Sequence, residues 1–156
     1  MKNKKSIFLG LALILPVAIF IFLKLFGKNK FDIPVYYKNG VDSVCVTNKS
    51  KPFEVDESLI KSIDWKNQPA LLTFAPSEKE LENFKHVWQE IKTSEVTSVY
   101  LAADSTQWRD CLLLMRDPWK TVLVDTDRHI RGYYNLSSRE ETDRLIVELQ
   151  ILLEQY

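Results

Sequence analysis

The scarcest reactive side chains in this 156-residue chain are two cysteines and two histidines. Cys45 and Cys111 stand 66 positions apart, so the chain has no close cysteine pair of the kind that disulfide exchange requires. Three readings of the two thiols are open: a disulfide, two separate thiols, or a pair with a copper or redox role. A disulfide closing that loop in an oxidising compartment would stabilise the fold by about 4 kcal/mol in the loop-entropy relation. As separate thiols they need no further chemistry, because Cys111 shares an apolar stripe with Trp108, Leu112 and Met115, where cysteine behaves as a small hydrophobe. His86 and His129 have no second histidine at ligand spacing and read as structural residues. Asp125 and Asp127 with Arg128 and Arg131 have the residue types of an acid/base cluster, but aspartates in a tight turn are ordinary turn chemistry. The residues thus predict no catalytic, cofactor-binding or metal-ligating side chain and no enzyme activity, with Cys45 and Cys111 as a candidate disulfide.

The elements that would position these residues start from one stretch. Leu71, Leu72, Thr73 and Phe74 read as a buried strand that turns through Ala75 and Pro76 into a helix, with Ser77 and Glu80 spaced as a capping box. The apolar residues Leu81, Phe84, Val87, Trp88 and Ile91 repeat at helical spacing and predict one buried stripe. Residues 97–102 are strand-like, and Asp104 with Gln107 signals another helix start. Residues 121–124 form a third core strand, turned by residues 125–128 into an antiparallel partner over 129–134. Ser137 with Glu140 predicts a cap on a last helix whose stripe is Leu145, Leu149, Leu152 and Tyr156. Ahead of this core, residues 33–37 read as a strand started or edged by Pro34. An Asn39-Gly40 turn follows, with Val44, Cys45 and Val46 as its returning arm. Residues 56–63 suggest a single helical turn.

Residues 7–23 are an uninterrupted uncharged run, about 26 Å long as a helix, and no small-residue cleavage site follows it. This predicts an uncleaved signal anchor in residues 1–27, a polar hinge at Lys28 to Lys30, and one extracytoplasmic domain over 28–156. The lipid bilayer is then a partner through residues 6–26. All 21 acidic residues lie after residue 27 and only 17 basic ones do, so the domain carries a net charge of −4. A mildly acidic domain without a basic cluster excludes nucleic acid as the expected partner. The element order, strand-helix-strand-helix followed by a hairpin and helix, predicts an α/β thioredoxin-like domain behind a single N-terminal transmembrane helix. Pro118, three residues before the strand at Thr121, lies near where such folds carry a cis-proline.

Three segments resemble the Sco/SenC-like family, membrane-anchored thioredoxin-fold copper chaperones of cytochrome c oxidase assembly. FDIPVYYKNGVDSVC resembles the first hairpin of bacterial members, LLTFAPSEKELENF the strand and helix that frame their metal motif, and VLVDTDRHIRGYYNLSSREETDRLIVELQILL their final hairpin and helix. The family's soft copper ligands are a CxxxC motif after the first core strand and a histidine before a later one. Here Ala75-Pro76-Ser77-Glu78 occupies the first place and Asp117-Pro118-Trp119-Lys120 the second, without a thiolate or a histidine. The resemblance therefore implies a degenerate member at the periplasmic side of a bacterial inner membrane. Such a member would assist oxidase assembly by binding a membrane protein of the respiratory chain, with no metal site of its own. Two alternatives stand beside it: a copper carrier or thiol-disulfide protein using Cys45 and Cys111, and a structural membrane protein unrelated to oxidase assembly. Trp65 and Trp119 flank the place where the family's metal would sit.

Overall fold

A computed structural model describes residues 2–26, 32–42, 49–102 and 107–155. The expected hinge at Lys28 to Lys30, the returning arm of Val44, Cys45 and Val46, the helix start at Asp104, and Tyr156 lie outside the described residues. The chain divides into two compact units, Met1–Phe31 and Asp32–Tyr156.

The first unit is helix α1 (Lys2–Phe26), which contains Pro16. Its expected role as a transmembrane helix is corrected. Among the described residues, no helix is long and apolar enough to cross a membrane.

The second unit starts from residues that must be buried on two faces. Strand β1 (Ala70–Phe74) is buried at every position, and so are β3 (Thr121–Val124) and β4 (Ile130–Tyr134). β2 (Thr97–Leu101) alternates between more and less exposed side chains, as a strand at the rim of a sheet does. The order is β2-β1-β3-β4, with β1 parallel to β2 and antiparallel to β3, and β3 antiparallel to β4. Continuous apolar runs in β1 and β3 follow from their central places, since each is covered above and below.

Helices α3 (Glu78–Glu90) and α4 (Arg139–Gln155) supply much of one cover. Phe84, Val87 and Ile91 meet Leu145, Leu149 and Leu152 in a single core with Leu71, Leu123 and Tyr134 of the sheet. The predicted α3 stripe is narrower than its spacing suggests, because Leu81 is 39 % exposed and Trp88 only partly buried. The other face packs Leu72, Phe74, Val122 and Tyr133 against Phe53, Val55, Leu113 and Met115. Leu59 joins that core from the short helix α2 (Glu57–Ser62), which Asp56 caps by accepting from the Ser58 N–H at 2.8 Å.

Three local expectations are revised. Residues 33–37 form no strand; Pro34 removes a donor there, and the chain turns at Tyr37, whose carbonyl accepts from the N–H groups of Gly40 and Phe53. The helix expected after residue 107 is a five-residue π-helical turn, Trp108–Leu112. Ser137 donates its N–H and hydroxyl to the Asn135 side chain instead of forming a box with Glu140. The architecture is a small α/β domain with a mixed four-stranded sheet, in place of a thioredoxin-like domain behind a transmembrane helix.

Candidate functional site

The resemblance directs attention to the turn from β1 into α3. Ala75 takes a positive φ of 37° and donates its N–H to the Leu101 carbonyl at 3.0 Å. Ser77 then caps α3 by a complete capping box. One Glu80 carboxylate oxygen accepts from the Ser77 N–H at 2.7 Å, the Ser77 hydroxyl at 2.8 Å and the Lys120 ammonium at 3.0 Å. The Glu80 side chain is 2 % exposed, that of Lys120 41 %. Burial is the largest single influence on the Glu80 carboxyl and favours its neutral form; the two Ser77 hydrogen bonds and Lys120 together outweigh it, holding Glu80 below its ordinary range.

Lys120 arrives here because β3 pairs with β1. Thr73 stands opposite Thr121, their hydroxyls 3.0 Å apart and buried, and the Phe74 N–H donates to the Lys120 carbonyl at 2.9 Å. The preceding Asp117-Pro118 peptide bond is cis. The two segments compared with the family's metal motif therefore do converge, and what converges is a carboxylate, a hydroxyl and an ammonium already bonded to one another. Such a set fastens a helix to a strand; it supplies no thiolate or imidazole for a soft metal. The capping box was legible from its local spacing. The Lys120 partner, 40 positions away, needed the strand register.

The turn between β3 and β4 is a second cluster. Asp125, Asp127 and His129 present ligand-type atoms within 4.8 Å of one another, a grouping the sequence reading did not make. Asp125 is fully buried and already committed: one oxygen accepts from the N–H groups of Asp127 and His129 at 2.9 and 2.8 Å, the other from Arg131 at 3.1 Å. Arg131 also donates to Asp32 at 2.9 Å and to the Ile33 carbonyl at 2.6 Å. With a guanidinium as its counterion, Asp125 holds a hairpin together and is poorly placed for a second cation. His86, on α3, faces α4, with Nε2 at 2.8 Å from Arg139 and 3.7 Å from Asp143.

The third feature is a cleft of about 550 Å³ between Tyr36, Asp42, Asp110, Arg116, Trp119 and Tyr133, a size typical of small-ligand sites. The Tyr133 and Tyr36 rings are perpendicular, with centroids 5.4 Å apart, and the Tyr133 centroid lies 6.0 Å from that of Trp119. Its hydroxyl donates to the Leu113 carbonyl at 2.7 Å. Burial, followed by the neighbouring Tyr37 hydroxyl, pushes that phenol far above its ordinary value, so Tyr133 stays neutral. Of the two tryptophans singled out from the sequence, Trp119 lines this cleft and is 39 % exposed, whereas Trp65 is partly buried with its indole N–H donated to the Gln68 carbonyl. Local pattern does not mark this cleft, because Tyr36 on one wall and Tyr133 on another stand 97 positions apart.

Among the described residues there is no free cysteine: Cys111, on the π-helical turn, is disulfide-bonded. Cys45, the chain's other cysteine, lies outside the described residues. No protein-family model matches the chain, and no curated protein matches it.

Proposed function

We propose that this chain is an accessory protein of Sco/SenC type that acts by binding a protein of the respiratory oxidase or its assembly machinery, without a metal site or catalytic activity of its own. The observation that carries the reading is the turn into α3. There Ala75-Pro76-Ser77-Glu78 takes the place of the family's thiolate motif and Asp117-Pro118-Trp119-Lys120 that of its histidine, and Ser77 and Lys120 are both bonded to the Glu80 carboxylate. A scaffold whose metal-site positions are spent on internal bonds retains its surfaces as the means of action. Cys111 adds no thiolate while it is disulfide-bonded, and we propose Cys45 as its partner within the chain.

Two measurements test the reading. Affinity purification of the tagged full-length chain from detergent-solubilised host membranes should recover an oxidase subunit or assembly factor, and recovery of neither counts against it. Titration of the purified chain with Cu(I) should show no stoichiometric binding. Copper uptake that a Cys45→Ser, Cys111→Ser double variant abolishes would favour the carrier alternative.

A further inference from the structure

The aromatic cleft is independent of the turn into α3. We infer that it is a recognition site for an organic cation, an ammonium or guanidinium group carried on an apolar body. It stands apart from the accessory-protein reading, since a free cation satisfies it without any oxidase partner.

Three observations point the same way. First, Tyr36, Trp119 and Tyr133 converge on one space, with Tyr36 and Trp119 exposed and Tyr133 buried at 6 %. Aromatic faces attract cations through the ring quadrupole, and tryptophan and tyrosine do so best. Because the Tyr133 hydroxyl is spent on Leu113, that residue offers the cleft its ring rather than a donor. Second, the charge of the lining is unbalanced. Arg144 is already matched, donating to the Tyr133 carbonyl at 2.6 Å and pairing with Glu141 at 3.1 Å and Glu148 at 3.7 Å. Among the described residues, Asp42 and Asp110 have no ion-pair partner, and neither does Arg116. Two unmatched carboxylates against one unmatched guanidinium favour a cationic guest. Third, two lining residues, Tyr37 and Leu114, have φ near 53°, a left-handed conformation uncommon for residues other than glycine and asparagine. Strain of this kind collects where a surface must keep a particular shape.

The same chemistry has two sources, a free small cation or an arginine or lysine side chain of a partner protein. The purified full-length chain is titrated with butylguanidinium chloride and with a blocked pentapeptide carrying one central arginine. Butylurea and the citrulline version of the peptide are the neutral counterparts. At least one cationic probe should saturate the chain at least tenfold tighter than its counterpart. Asp42→Asn combined with Asp110→Asn should lower that affinity at least tenfold with an unchanged circular dichroism spectrum; both side chains are exposed and unpaired, so the fold does not depend on them. A peptide that binds at least tenfold tighter than butylguanidinium identifies a partner protein as the source, and any smaller preference identifies a free cation. If neither cationic probe reaches a tenfold preference, or the double variant loses less than tenfold, the inference is overturned. Failure here leaves the oxidase pull-down unaffected, and failure of the pull-down leaves this titration unaffected.

Discussion

Glu80 shows at the scale of one residue how a buried charge becomes structural. Its carboxylate closes a capping box and meets Lys120, so replacing it by glutamine keeps the shape and removes the charge. Because Lys120 is well exposed and returns readily to water, the loss is expected to be that of a helix cap, about 1 to 2 kcal/mol in denaturant unfolding. The sign of the pH dependence follows from the lowered carboxyl. A group held below its ordinary value of 4.5 in the folded state contributes stability that is fully present above pH 4.5 and is lost as pH falls through the folded value. The unaltered protein should therefore lose stability on acidification below about pH 4.5, and Glu80→Gln should lose less over that window; parallel acid profiles of the two proteins would refute this role. Ser77 and Glu80 are neighbours in sequence, so their pairing was readable in advance. Lys120, Asp125 with Arg131, and Tyr36 with Tyr133 are not, because each depends on strand register or on a loop crossing the sheet.

At the scale of an element, α3 and β4 carry opposite lessons about packing. The period of α3 marks Leu81 and Phe84 as equivalent, yet Phe84 is 1 % exposed and Leu81 39 %. Periodicity gives the direction of a stripe but not the width of what covers it. Phe84→Ala should cost about 3 to 5 kcal/mol and Leu81→Ala under 1 kcal/mol in chemical denaturation, and equal costs would contradict the observed packing. In β4 the constraint is a glycine. A β-carbon at Gly132 would overlap the Tyr134 hydroxyl and lie 2.6 Å from its Cζ, while Tyr134 is held by Glu148 and by Arg144, 4.7 Å above its ring. Gly132→Ala should destabilise the fold by about 1 to 3 kcal/mol, read from the thermal midpoint, because the ring has no free direction in which to move. The strands themselves were legible wherever they are buried on both faces. The π-helical turn was not, because five residues hold too little periodicity to distinguish it from a helix.

For the molecule as a whole, a sheet covered on both faces and a disulfide at Cys111 are the two global sources of stability. If Cys45 is the partner, as proposed, denatured and unreduced protein should react with no thiol reagent and run as a monomer; a covalent dimer would refute an intrachain bond. Cys111→Ser should then lower unfolding stability by about 2 to 5 kcal/mol, measured against the unaltered protein under the same non-reducing conditions. The α/β character, the order of the core elements and the closing hairpin were legible because they rest on local patterns. The charge-free run of residues 7–23 predicted a spanning helix, whereas among the described residues no helix is long and apolar enough to cross a membrane.

Arg131 has a mechanical consequence. The second unit begins at Asp32, and within two residues the chain is gripped by this buried guanidinium, which reaches Asp32, the Ile33 carbonyl and Asp125 together. The Tyr36 N–H then donates to the Ile130 carbonyl at 2.9 Å, along the outer side of the last strand of the sheet. Tension applied to this domain from its N-terminal side is thus delivered first to β4 and the β3–β4 turn. Strands β1 and β2, with the turn into α3, lie on the far side of β3 and are shielded from the first part of the load.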